Sequence, residues 1–233
     1  MLSLLLIGHG RMGQLVERLA SAYDCEIAGI VTSRSGLEGV SAPHFGHVDV
    51  AIDFTQPEAV VGTFRRLAAR KVNMVIGTTG WQRDEPALRE LAARDGIGVL
   101  AAANFSIGMA VFRAVAEAAA QRFAAVADVG AWIHESHHAA KKDAPSGTAL
   151  MLKAAMEQAG YSRAIDVSST RAGSIPGTHA VGFDAPAETM TLVHEVRDRS
   201  VFAHGALQAA KWLKGRQGWF SMQDMLENLK SGV

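Results

Sequence analysis

Apolar residues fill every position from Leu2 to Ile7 except Ser3, the pattern of a strand buried on both faces of a parallel sheet. Met12, Leu15, Val16, Leu19 and Tyr23 then recur at helical spacing. Between the two stand Gly8, His9, Gly10, Arg11, Met12 and Gly13. Strand, glycine turn and helix are therefore expected in that order. The same rhythm continues with strands at Ile27 to Val31 and Val48 to Phe54 and a helix opened by Pro57 and running to about Lys71. A strand at Asn73 to Ile76, a helix at Asp84 to Arg94 closed by Gly96, and a strand at Ile97 to Ala102 follow. Short apolar strands alternating with amphipathic helices predict an α/β fold, with an N-terminal Rossmann-type, doubly wound dinucleotide-binding domain over residues 1–104.

After Asn104 the pattern changes. Ile107 to Phe123 reads as a long Ala-rich helix, Val126 to Ile133 as a strand, and Ser146 as the cap of a helix ending at Gly160. From Ile165 to Val196 polar and apolar residues alternate, most clearly from Thr189 to Val196, as in sheet with one wet or partner-facing side. These features predict a second, α+β domain with a mixed open sheet over residues 105–205, serving substrate binding. Ala203 to Leu213 and Met222 to Leu229 read as helices, the last preceded by Ser221 and Asp224 in capping-box spacing. Residues 206–233 are expected to pack back on the first domain.

The glycine turn has the context a dinucleotide pyrophosphate needs, because it follows a buried strand and opens a helix whose free N–H groups and positive end favour an anion. After the second strand the chain reads Thr32, Ser33, Arg34, Ser35, without the acid that holds an NAD ribose. The Ser33 hydroxyl and Arg34 guanidinium suit a 2′-phosphate, so NADPH is expected to serve at least as well as NADH. The alternative leaves Arg34 as a solvated loop residue.

The stretch from His134 to Leu150 concentrates His134, Glu135, His137, His138, Lys141, Lys142, Asp143 and the Ser146-Gly147-Thr148 helix opening. His137, His138 and Lys141 are the right types for proton transfer accompanying hydride transfer. Gly147 and Thr148 stand where helix N–H groups can take a carboxylate, and two cations would attract a dicarboxylate. Read literally, His134 to His138 is also HExxH, a zinc signature that requires a helix. A strand just upstream and Pro145 downstream argue against a helix, so no metal is expected. Ser146 reads as an N-cap, and Lys142 with Asp143 as a solvated pair.

Composition narrows the setting. The 233 residues carry 23 Lys and Arg against 23 Asp and Glu, with no long run of one sign, so neither nucleic acid nor a membrane surface is an expected partner. One cysteine, Cys25, excludes an internal disulfide, and the N-terminal segment lacks the basic region of a signal peptide. No apolar stretch approaches the roughly 20 residues that span a bilayer. A cytoplasmic protein with a small-molecule partner is expected.

These residues closely resemble the 4-hydroxy-tetrahydrodipicolinate reductases of bacterial lysine and diaminopimelate synthesis. The resemblance rests most on Glu135-Ser136-His137-His138, Lys141 and Asp143 to Ala149, supported by GRMG at 10–13, DFT at 53–55, GTTG at 77–80 and AANFSIG at 102–108. Arg171, Gly173, Gly177, His179, Arg199, Phe202 and Gly205 also fall into the family pattern. It implies that His137 and Lys141 are catalytic and that His138, Gly147 and Thr148 bind substrate carboxylates. The glycine turn, Gly77, Thr78 and Thr79, and Ala102, Ala103, Asn104 and Phe105 would line the cofactor cleft, facing the His and Lys groups across it. It further implies a homotetramer built through the sheets of the second domain. Two departures stand out: GHGRMG is one residue shorter than the common GxxGRMG, and the first domain is shortened around Val40 to Val48. An amino-acid or imine dehydrogenase with another carboxylated substrate, and a non-catalytic dinucleotide sensor, are the competing readings. The sensor would have no use for Lys141.

Overall fold

The computed structural model describes residues 1–35 and 46–230. Most of the expected shortening at Val40 to Val48 lies outside the described residues. In chain order the elements are β1 (Leu2–Ile7), α1 (Arg11–Leu19), β2 (Cys25–Val31), β3 (Val50–Asp53), α2 (Pro57–Ala69), β4 (Asn73–Ile76), α3 (Glu85–Asp95) and β5 (Gly98–Ala101). Then come α4 (Ile107–Ala124), β6 (Gly130–His137), α5 (Gly147–Gln158), β7 (Ile165–Arg171), β8 (Thr178–Ala185) and β9 (Glu188–Glu195). The chain closes with α6 (Ser200–Leu213), β10 (Gly218–Phe220) and α7 (Met222–Lys230).

Two compact units result: Met1–Ile107 together with the chain from Ser200 onward, and Gly108–Arg199. The sequence-based boundaries stood at 104/105 and 205/206. In the first unit six parallel strands line up in the order β10-β5-β4-β3-β1-β2. Chain order reverses at β1, which pairs with β2 on one side and β3 on the other, so the crevice beyond the carboxyl ends of β1 and β3 is the switch point of a Rossmann-type sheet. Every residue of β1, β3 and β4 is buried, which is why their sequences are apolar except for one buried polar residue each, Ser3, Asp53 and Asn73. The core around this sheet gathers Leu5, Ile7, Phe64, Leu67, Met74, Trp81 and Val99.

α6 completes this unit. It buries Ala203, Gly205, Ala206, Leu207, Ala209, Ala210 and Leu213, a face of small residues that lets the helix come close to its neighbours. A Cβ on Gly205 would stand 1.7 Å from the Phe105 carbonyl oxygen, so that position accepts only glycine without movement. β10 pairs with β5 at the sheet's edge and was not expected, being only three residues long. The capping box ahead of α7 forms: the Ser221 N–H donates to Asp224 Oδ2 at 2.7 Å, and the Asp224 N–H to Ser221 Oγ at 3.3 Å.

The second unit is a four-stranded mixed sheet, order β7-β6-β8-β9, with β6 parallel to β7 and antiparallel to β8. One face packs Ala131, Ile133, Val181 and Phe183 against Met109, Phe112, Ala116 and Ala120 of α4 and Leu152 and Met156 of α5. β6 begins four residues later than expected. α4 runs to Ala124 and its exit turns through Asp128 at φ 59°, which keeps Val126 to Val129 out of the sheet. Tyr161 Oη then ties Val129 down by donating to its carbonyl at 2.6 Å. The consequence is functional: His134 to His137 are strand, with side chains alternating between the two faces. Among the described residues, no helix is long and apolar enough to cross a membrane.

Candidate active site

In the first unit the turn after β1 shows what each glycine does. Gly8 has φ +90°, and a Cβ there would stand 2.4 Å from the Phe54 carbonyl oxygen; one on Gly13 would stand 2.2 Å from the Gly8 carbonyl oxygen. Gly10 is different, because beyond its own chain neighbours no described atom lies within 4 Å of where its Cβ would be. Two glycines thus draw the turn and α1 together, while the third leaves open space at the helix start. Gly10 is the N-cap of α1, without a side-chain cap among the described residues, so the first N–H groups of the helix remain available to an anion.

A cavity of about 550 Å³ opens here, lined by Ile7, Gly8, His9 and Gly10, by Val31, Thr32 and Ser33 after β2, and by Phe54, Thr55, Gln56, Ala59 and Thr63. Its size, its apolar walls and the glycine cradle fit a dinucleotide. His9 lines it while its Nε2 meets Glu17 Oε2 at 2.7 Å. Arg11, Met12, Gly13 and Arg34 do not line it. Arg34 is exposed on the turn beside Ser33, a turn closed by the Thr32 N–H donating to Ser35 Oγ at 3.0 Å.

Gly77, Thr78 and Thr79 follow β4, and Ala102, Ala103, Asn104 and Phe105 follow β5, at the same carboxyl edge but outside that cavity. Asp53 links the edge together. Its Oδ1 accepts from Thr55 Oγ1 at 2.6 Å and Thr78 Oγ1 at 2.9 Å, while Thr78 Oγ1 also accepts from the Thr55 N–H at 2.8 Å. Asp53 is fully buried and its Oδ2 has no partner among the described residues; burial pushes its carboxyl above the usual range, against the pull of the threonines. The Phe54 ring fills the place a Gly77 side chain would need, at 2.1 Å, and meets Phe105 edge-on at 6.0 Å. Phe54 and Thr55 are site residues that periodicity missed; the Asp-Phe-Thr run at a strand's end was the available signal.

In the second unit the pleat of β6 sends Glu135 and His137 to the same face as Ala131 and Ile133, beyond the apolar core. Register sets Glu135 between Ser169 of β7 and His179 of β8, and His137 beside Arg171. The Arg171 guanidinium forks onto the carboxylate, Nη1 to Oε2 at 3.0 Å and Nη2 to Oε1 at 2.7 Å. The His137 Nδ1 bonds Oε2 as well, and the Ser146 N–H donates to Oε1 at 3.2 Å. Burial opposes charge on Glu135, yet Arg171, Ser169 and His137 together hold its pKa down to about 2. Burial also lowers His137, a shift that Glu135 partly offsets and Lys141 and Arg171 reinforce. His179, buried and 5.2 Å from the His137 ring centroid, is pushed down to about 4 by burial and then by His137.

The segment from His138 to Ser146 carries the remaining candidates. Lys141 Nζ donates to both oxygens of Asp143 at 2.8 Å, so Asp143 pairs with Lys141 and not, as expected, with Lys142. Arg171 Nη2 donates in addition to the Asp143 carbonyl. Ser146 caps α5, its Oγ accepting from the Ala149 N–H at 3.2 Å and standing 3.2 Å from His179 Nε2. Beyond its chain neighbours and its own helix, Gly147 has no described atom within 4 Å of its Cβ position, so the helix start there is open, with Thr148 beside it.

Two family descriptions match the chain in tandem: "Dihydrodipicolinate reductase, N-terminus" over residues 2–105 and "Dihydrodipicolinate reductase, C-terminus" over residues 108–226. The chain belongs to the dihydrodipicolinate reductase family. A 4-hydroxy-tetrahydrodipicolinate reductase of Stenotrophomonas maltophilia (strain K279a) is 41% identical over 97% of this chain and 98% of its own length. One from Christiangramia forsetii is 31% identical over 98% and 99%. Among solved structures, a dipicolinate-bound dihydrodipicolinate reductase from Paenisporosarcina sp. TG-14 shares the fold, with TM-score 0.81 at 22% identity over 95% of this chain and 97% of that one.

Family membership makes the chain an NAD(P)H oxidoreductase, and the zinc signature lacks the helix it requires. His134 stands in β6 and His138 just past its end, so the two are not one helical turn apart and the HExxH geometry does not form. The ligand atoms of Glu135, His137 and His179 do lie within 4.8 Å of one another. Both Glu135 oxygens already accept from Arg171, a fixed cation beside those ligand atoms. Arg171 and His179 carried no role in the sequence reading, because only strand register brings them to Glu135.

Proposed function

We propose that this chain reduces 4-hydroxy-tetrahydrodipicolinate to tetrahydrodipicolinate in lysine and diaminopimelate synthesis, and that NADPH serves at least as well as NADH. The observation that carries the assignment is the Glu135–His137 bond beside the Lys141 segment, with the Ser146-capped start of α5 following it. The glycine cradle and the carboxyl edge of the parallel sheet would hold a reduced nicotinamide dinucleotide, whose chemistry when bound would be hydride donation to C4 of the substrate ring. Gly8, His9, Gly10, Arg11, Met12 and Gly13 hold the pyrophosphate end, and Ser33 and Arg34 the ribose and its 2′-phosphate. Gly77, Thr78, Thr79 and Ala102, Ala103, Asn104, Phe105 hold the nicotinamide half. His137 gives a proton to C3 as water is lost, Lys141 is a second proton donor, and both neutralise charge on the dicarboxylate. His138, the Gly147 N–H and Thr148 take the carboxylates, the last two by the logic that makes a helix N-terminus an anion site. Val193, 60% exposed on the face of β9 turned away from the unit's core, supports assembly through this sheet, as a homotetramer. The setting is the cytoplasm.

The test is a coupled assay in which a synthase generates the substrate and NADPH or NADH consumption is followed. His137→Ala and Lys141→Ala should each lower kcat about a hundredfold or more while the KM for NADPH stays within about twofold. Arg34→Ala should lower kcat/KM for NADPH by about tenfold and leave NADH nearly untouched. No cofactor consumption at micromolar enzyme would reject the substrate, and full turnover in both site variants would remove those residues from the mechanism.

A further inference from the structure

We propose that Glu135 and Arg171 act as a positioning pair, holding His137 through its Nδ1 and Lys141 through the Asp143 segment; this rests on the roles given to His137 and Lys141 above. Glu135 is fully buried and serves at least four donors, from Arg171, His137, Ser146 and Ser169, which only a carboxylate can accept together. With Nδ1 committed to that carboxylate, Nδ1 is where the neutral ring keeps its hydrogen, and Nε2 is the atom presented for proton transfer. Gly177 guards that atom's approach: a Cβ there would stand 3.1 Å from His137 Nε2.

Arg171 extends the arrangement to the lysine. The guanidinium that grips Glu135 also donates to the Asp143 carbonyl, and the side chain of Asp143 holds Lys141 Nζ. One planar cation therefore fixes the histidine's partner and the lysine's partner in a single rigid fork. A lysine in its place cannot make both ends of that connection.

The charges facing His137 give the pair a distinct signature. Arg171 on β7, His179 on β8 and Lys141 in the following segment are all unfavourable or neutral toward an imidazolium, and Glu135 on its own strand is the group that favours it. Removing the carboxylate should lower the pH at which His137 loses its proton, and with it the alkaline limb of the rate profile.

The experiment uses the full-length enzyme with synthase-generated substrate and kcat measured from pH 5.5 to 9. Glu135→Gln should move the alkaline limb of kcat to lower pH by about one unit and cut kcat at pH 8 about tenfold or more, with KM for NADPH within about twofold. Arg171→Lys should cut kcat about tenfold while leaving the limb in place, because the charge near His137 is kept. Wild-type turnover and limb in Glu135→Gln, beside an inactive His137→Ala, overturn the proposal. An active His137→Ala instead defeats the underlying reading. Should Glu135→Gln not fold, the ring tautomer decides: in ¹⁵N-histidine-labelled wild-type enzyme, with the signal assigned by its loss in His137→Gln, Nδ1–H at alkaline pH is the expected form and Nε2–H overturns the proposal.

Discussion

Glu135 and His179 stand opposite each other on β6 and β8, and burial bears on both, with outcomes that add up in acid. Glu135 sits at about 2 in the folded chain against an ordinary 4.5, so its contribution to stability is complete above pH 4.5 and is lost as pH falls toward 2. His179 sits at about 4 against 6.5: the unfolded chain takes up a proton in that interval and the folded chain does not, so stability is lost as pH falls from 6.5 to 4. Asp53 has the opposite sign, its raised pKa costing stability as pH rises above 3.8. The upper acid interval therefore belongs largely to His179. Denaturant melts at pH 7 and pH 4 should show that His179→Gln removes a pH-dependent loss on the order of 3 kcal/mol. Equal losses in wild type and variant would show that His179 is not the group responsible.

At the scale of elements, Ser146 shows how one cap serves two purposes. Its Oγ takes the Ala149 N–H while its own N–H goes to Glu135, so the start of α5 is tied to the carboxylate that holds His137. Ser146→Ala should cost about 1–2 kcal/mol from the lost cap, read as a lower urea midpoint, while the backbone bond to Glu135 survives and kcat changes less than about threefold. A kcat loss as large as that of His137→Ala would mean the hydroxyl itself enters the chemistry. This cap, the glycine turn and the parallel strands were all legible in the sequence, because each depends on residues within a few positions of one another. The start of β6 was not, since the turn at Asp128 that delays it is held by Tyr161, more than thirty residues on. Nor was the Glu135, Arg171 and His179 cluster, whose members lie on three strands and meet only through register. Asp143 was paired with its neighbour in sequence and instead bonds Lys141, a choice that chain adjacency alone does not reveal.

For the whole molecule, the decisive fact is that each unit has its own apolar core, yet only the second is continuous in the chain. The parallel sheet needs α6, whose buried face comes from residues 203–213, and needs β10 at its edge. Deleting the chain from Ser200 onward should leave the first unit unable to fold cooperatively, seen as loss of the thermal transition assigned to nucleotide binding. A truncated chain that still melts sharply and is stabilised by NADPH would contradict this.

On the ribosome, that arrangement reverses the usual order of maturation. The middle of the polypeptide emerges whole while the segment ahead of it still waits for its covering helix, so the second unit can close its core before the first. On the proposed roles, the newborn enzyme gains its acid chemistry first and its capacity for redox chemistry last.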